Sequence, residues 1–243
     1  MKNRLMRSLI CALACIAALA LPVLSAAAEG KKLNMIFIGG DACWEEGPNN
    51  ICRNLLLHHE DLQESAEAFF VRSTMKNYTN KVAQEHAKEA KRFLSPDRVN
   101  IVCAYSHGGQ TAFFMETELV RDLYMFDACV AVQGKGDGID AKGRYWAEWF
   151  IETAKKGVNL HVFASRGKRD APSGTKNAIR DLAQYPEKDD RVVSTEDGQY
   201  TILDGNGKEI ARIETAILEG THKDICVRIE DRLAEYVYAL IKE

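Results

Sequence analysis

Val99-Asn-Ile-Val-Cys-Ala-Tyr-Ser106-His-Gly-Gly-Gln-Thr-Ala-Phe-Phe114 decides how this chain reads. Val99–Ala104 is apolar apart from Asn100, as a central parallel strand covered on both faces must be. Helix-forming residues follow within four positions, with Gly108 and Gly109 between. A strand that passes into a helix with no linking loop needs small residues where the two backbones meet. The turn residue, Ser106, is left at the tip.

Working outward, strand-like and helix-like segments alternate, the pattern of a parallel sheet flanked by helices. Leu33–Ile38, Ala68–Val71, Ala128–Val132 and Leu160–Ala164 read as the other strands. Val82, His86, Ala87, Ala90, Phe93 and Leu94 recur at helical spacing and stop before Pro96. Ile225, Ile229, Leu233, Tyr236, Val237 and Leu240 make a stripe on a C-terminal helix, with Asp224 placed to cap it. Between Arg191 and Leu218, Glu196-Asp-Gly198 and Asp204-Gly-Asn-Gly207 punctuate extended runs and predict antiparallel hairpins, the last run rejoining the sheet. Asp204-Gly-Asn-Gly207 lacks the later ligands of a calcium loop and reads as a turn. The expectation is one α/β domain, a mostly parallel central sheet with helices on both faces and a late hairpin insertion.

The first 28 residues read as a signal peptide. Lys2, Arg4 and Arg7 precede an apolar run from Leu9 to Leu24, and Ser25-Ala-Ala-Ala28 offers a cleavage site after Ala28. The run is short for a membrane span of about 20 residues, so no stable insertion is expected after cleavage. Removing 28 of 243 residues leaves 215, a single domain over 29–243. The formal net charge of −3 falls to −6 with the loss of those three positive charges. A mildly acidic domain without a Lys/Arg cluster is a poor partner for nucleic acid or anionic lipid. Export implies a periplasmic or secreted protein. Its five remaining cysteines are an odd number, so at least one stays unpaired within the chain, while the spacing of Cys43 and Cys52 allows a bridge. Cys103 and Cys129 read as buried small hydrophobes, and no Cys/His spacing calls for a metal.

Ala104-Tyr-Ser106-His-Gly108, set between a buried strand and a helix, resembles the nucleophile elbow of the α/β-hydrolase family. Its small bacterial lipases likewise carry alanine at the first position. The resemblance implies a Ser-acid-His order along the chain, each residue in a loop after a strand. Asp170, ending Ser165-Arg-Gly-Lys-Arg-Asp170, takes the acid's place, with Asp137 and Asp140 after the preceding strand as alternatives. His222, in Leu218-Glu-Gly-Thr-His222, takes the place of the base. The His107 amide is implied as one oxyanion donor. The second is implied in Gly39-Gly40-Asp41-Ala42, where Asp41 is chosen over Gly40 and Ala42; relatives often carry His-Gly here, and this chain has Gly-Gly.

Ser106, His222 and Asp170 would then cleave a small-molecule carboxylic ester or thioester through an acyl-enzyme, with no cofactor. Trp44, in the oxyanion-side loop, and Tyr105, beside the serine, are assigned to the substrate pocket. Tyr145, Trp146, Trp149 and Phe150 share helical spacing and are expected to pack on the sheet. Two other functions fit the same residues: a peptidase or amidase on the same triad, and a non-catalytic exported domain that binds a ligand or partner.

Overall fold

The computed structural model describes residues 32–242 except 41–42, 73–78, 133–138, 168–173, 186–190 and 195–197. Eight strands form one sheet in the order β2-β1-β3-β4-β5-β8-β7-β6. They are β1 (Leu33–Ile38), β2 (Ala66–Val71), β3 (Val99–Tyr105), β4 (Asp122–Phe126), β5 (Asn159–Ser165), β6 (Arg191–Ser194), β7 (Gln199–Leu203) and β8 (Glu209–Leu218). The six strands from β2 to β8 pair in parallel; β7 joins β8, and β6 joins β7, antiparallel.

Alternation of side chains across the pleat sends each strand's apolar residues into two cores. Met35, Phe37, Ile101, Cys103, Tyr124 and Phe163 face α1 (Ile51–His58) and α6 (Ile225–Lys242). Ile36, Ile38, Val102, Ala104, Met125 and Val162 face the opposite way. There they meet α2 (Asn80–Lys91), α3 (Gly108–Phe113), α4 (Ile139–Lys155) and α5 (Thr175–Leu182). The expected aromatic packing of α4 holds, with Trp146 and Phe150 completely buried and Trp149 packed against the same core. No described helix is long and apolar enough to cross a membrane.

The fourth strand departs from the sequence expectation. It lies at Asp122–Phe126, not at Ala128–Val132. The later run is buried too except at Ala131, but as irregular chain with polar groups met by side chains. Val130 O accepts from Tyr145 Oη and Trp146 Nε1, both at 2.9 Å, and Val132 N donates to Tyr145 Oη at 2.9 Å. Cys129 N donates to Thr175 Oγ1 at 3.1 Å. A charged first residue, Asp122, disguises the true strand.

Two smaller expectations also change. Cys43 and Cys52 do not bridge; both are buried and in no disulfide, as are Cys103, Cys129 and Cys226. Cys52 lies on the inward face of α1, in the same core as Cys103 of β3. Asp224 does not cap α6 through its side chain: the carboxylate turns back to Thr221, while its carbonyl accepts from Arg228 N at 3.1 Å.

Asp122 anchors a polar network at the start of β4. Its Oδ1 accepts from Tyr236 Oη at 2.8 Å and Asn159 Nδ2 at 3.0 Å. His161 on β5 lies between two carboxylates, Nδ1 at 2.6 Å from Glu214 and Nε2 at 3.4 Å from Asp122. Arg232 pairs with Glu214 from α6. Burial opposes charging the His161 ring, but hydrogen bonds to Asp122 and Glu214 outweigh it and raise the pKa above 6.5. Burial likewise disfavours the Glu214 anion, yet His161 and Arg232 hold its pKa below 4.5.

The folded state thus binds the His161 proton more tightly than the unfolded chain does, and releases the Glu214 proton more readily. The stabilisation from His161 is complete below about pH 6.5 and lost as pH rises through its raised folded value; that from Glu214 is complete above about pH 4.5 and lost as pH falls through its lowered folded value. Thermal unfolding followed from pH 4 to 9 should therefore show an alkaline decline that His161→Gln abolishes. The same substitution should cost about 2 kcal/mol near pH 6, because it removes the cation between Asp122 and Glu214 and leaves them Tyr236, Asn159 and Arg232 as partners.

Candidate active site

Tyr105 of β3 stands opposite Phe126 of β4 in parallel register, so the next residues, Ser106 and Asp127, leave neighbouring strand ends together. The ladder runs one step further. Ser106 N donates to Phe126 O at 3.1 Å, and Asp127 N to Phe163 O of β5 at 2.9 Å. Both residues then take the left-handed backbone, with φ of 53° and 45°. They are the only non-glycine residues to do so among the described residues. Such backbone costs on the order of 1–3 kcal/mol and persists only where the surroundings enforce it.

Glycine contacts enforce it at Ser106. A Cβ on Gly108 would lie 2.1 Å from Ile38 O, and one on Gly109 would lie 1.8 Å from Ala128 O. The first turn of α3 is therefore pressed onto the end of β1 and onto the chain leaving β4. From the other side comes Gly40, where a Cβ would lie 2.4 Å from Ser106 Cβ and 3.1 Å from Oγ. The serine is held between these backbones and is 7% exposed.

His222 arrives from the loop joining β8 to α6. Arg166 N donates to Leu218 O at 2.8 Å and Gly167 N to Gly220 O at 3.1 Å, tying that loop to the end of β5. Within it, the Asp224 carboxylate accepts from Thr221 N at 2.9 Å and Thr221 Oγ1 at 2.8 Å. The backbone bond from Thr221 is the main reason the Asp224 carboxyl titrates below its ordinary range. His222 Nδ1 stands 3.2 Å from Asp127 Oδ2. The other carboxylate oxygen accepts from Ser165 N at 3.0 Å. Asp127 is 2% exposed, so this pairing compensates a buried charge and fixes one face of the imidazole.

Ser106 and His222 thus occupy the strand-end positions expected for them, and His107 follows the serine at the start of α3. The acid expected at Asp170 lies outside the described residues, as do Asp137 and the expected oxyanion residue Asp41. Asp140 falls in the first turn of α4. The carboxylate on His222 is Asp127, which sequence reading missed because the fourth strand was placed after it. The available signal was Leu123-Tyr-Met-Phe126, a short apolar run ending on an acid. Trp44 is 56% exposed, beyond the Gly40 turn. Tyr105 is 3% exposed, with its ring stacked on His222, so its expected place in a substrate pocket gives way to one behind the histidine. Among the described residues, no group of three or more His, Cys, Asp or Glu is arranged to hold a metal ion.

Comparison with protein-family models gives no match, and a search of curated proteins finds no match either.

The glycine contacts carry a direct consequence. Gly109→Ala should lower stability by at least about 2 kcal/mol, since its methyl meets a backbone carbonyl that has no rotamer to yield. Gly157→Ala should cost only about 1 kcal/mol, since the added Cβ meets nothing within 4 Å and only the positive φ of 92° is strained. Thermal or denaturant unfolding of the two variants measures the contrast.

Proposed function

We propose that this chain is an exported serine hydrolase of the α/β-hydrolase type, acting on a carboxylic ester or thioester. The observation that carries the reading is the Asp127–His222 pair, set beside a left-handed Ser106 on the neighbouring strand end. A serine needs a base, and the base needs an oriented ring. Asp127 replaces Asp170 as the acid in this reading. In this reading the antiparallel β6 and β7 are taken as a late hairpin insertion in the sheet.

With its proton on Nδ1 and donated to Asp127, His222 keeps Nε2 as acceptor for the Ser106 Oγ proton. Oγ attacks the acyl carbon, and the negative charge moves to the carbonyl oxygen. The His107 amide, with a donor from residues 40–42 such as Asp41, stabilises that oxyanion. The imidazolium, steadied by Asp127, returns its proton to the leaving alcohol or thiol. Water, deprotonated by the same histidine, then releases the acid and restores Ser106. No step requires a cofactor. Trp44, exposed in the chain that follows Gly40, is assigned an apolar wall for a small acyl or leaving group in this reading. The signal-like N-terminus supports a periplasmic or secreted setting for this reaction.

The purified mature protein should react with a fluorophosphonate, and Ser106→Ala or His222→Ala should abolish labelling. Asp127→Asn should fold yet lose about 10³–10⁴-fold in kcat on p-nitrophenyl acetate. Asp170→Asn should stay within a few-fold of wild type. A folded wild-type protein that neither labels nor hydrolyses would leave the site as a non-catalytic binding surface.

A further inference from the structure

Tyr105 grips His222 twice. Its ring lies on the imidazole with centroids 4.7 Å apart and planes 20° from parallel. Its hydroxyl donates to the His222 backbone carbonyl at 3.1 Å. One contact fixes the ring's face and the other fixes the main chain that carries it. Asp127 holds Nδ1 in the ring plane, so the three contacts together oppose both tilting and sliding of the imidazole.

The need for such a grip is visible in the loop. None of residues 219–224 is buried, and His222 itself keeps 17% of its side chain exposed. The loop has no apolar anchor of its own. Its order has to come from the strand ends beneath it and from the turn closed by Asp224. Tyr105 is well placed to supply that order. It is 3% exposed and packs in the core that includes Ile225 and Cys226, the first two residues of α6. It is also covalently joined to Ser106, so the residue before the nucleophile sets the position of the base.

Resting on the hydrolase reading, we infer that Tyr105 is a positioning residue for His222, not a substrate contact. The burial of its ring leaves no face for a ligand. When Ser106 gives up its proton, the ring also presents π density to the imidazolium that forms. Fixing the ring lowers the cost of reaching reactive geometry, an effect expressed in kcat and not in substrate binding.

The test compares Tyr105→Leu and Tyr105→Phe with wild type in the full mature protein. Hydrolysis of p-nitrophenyl acetate gives kcat and KM, and fluorophosphonate labelling gives the maximal rate of serine modification. NMR gives the His222 ring proton resonances, assigned by their loss in His222→Gln. Tyr105→Leu should lower kcat and the maximal labelling rate by about 10²-fold with KM within about twofold. It should also abolish the ring-current shift of the His222 resonances. Tyr105→Phe should retain that shift and recover kcat to within about tenfold of wild type, still below it, since stacking remains while the carbonyl bond is lost.

A folded Tyr105→Leu with wild-type kcat overturns the inference, as does one with raised KM and unchanged kcat, which would mark a substrate contact. If Tyr105→Leu does not fold, a wild-type kcat in Tyr105→Phe overturns it. Wild-type labelling that neither substitution slows sinks the positioning role alone. Absence of any labelling or hydrolysis in folded wild type sinks the hydrolase reading and this inference together.

Discussion

The parallel register between β3 and β4 is the constraint on which the site depends. Pairing Tyr105 with Phe126 brings Ser106 and Asp127 out of the sheet side by side. A one-residue slip of either strand would turn its own residue, Ser106 or Asp127, to the wrong face, because successive residues of a strand point to opposite sides. The register is secured by burial on both faces: β4 is buried along its full length, and β3 at every residue but Val99. The same buried strands that stabilise the domain therefore fix the spacing of Ser106 and Asp127.

Backbone strain is concentrated where that spacing ends. Ser106 and Asp127 both leave their strands with positive φ. Glycines at 40, 108 and 109 let β1, β3, α3 and the chain after β4 approach within the distance of a missing methyl. The strain at Ser106 is thus offset by packing, not by side-chain hydrogen bonding. At Asp127 the offset is different, since its carboxylate accepts from Ser165 N and pairs with His222.

The two ends of the sheet divide their work. At the C-terminal ends of β3, β4 and β8 the chain gathers Ser106, Asp127 and His222. Towards the other end, Asp122 and the His161–Glu214 pair form a buried charged network that ties β4, β5 and β8 to α6. The first group sits on turns and loops; the second lies within strands and a helix. This separation lets the stability of the sheet respond to pH through residues remote from Ser106.

Local sequence determined the strands β1, β3 and β5, the helical stripe of α6, and the positions of Ser106 and His222. Continuous apolar runs are satisfied by burial, and a serine one residue ahead of two glycines at a strand–helix junction is suited to a tight turn. Tertiary structure decided the rest. Ala128–Val132 is as apolar as a strand, but its backbone is satisfied by Tyr145, Trp146 and Thr175, partners that only the folded chain brings near. Asp122, an unpromising first residue for a buried strand, is made tolerable by Asn159, His161 and Tyr236. Displacing that strand by six residues hid Asp127 and made Asp170 the natural choice of acid. Tyr105 looked like a pocket residue because it adjoins the serine, yet its ring lies behind His222. Hydrophobic pattern is a property of neighbours along the chain; hydrogen-bond partnership among buried polar groups is a property of neighbours in space.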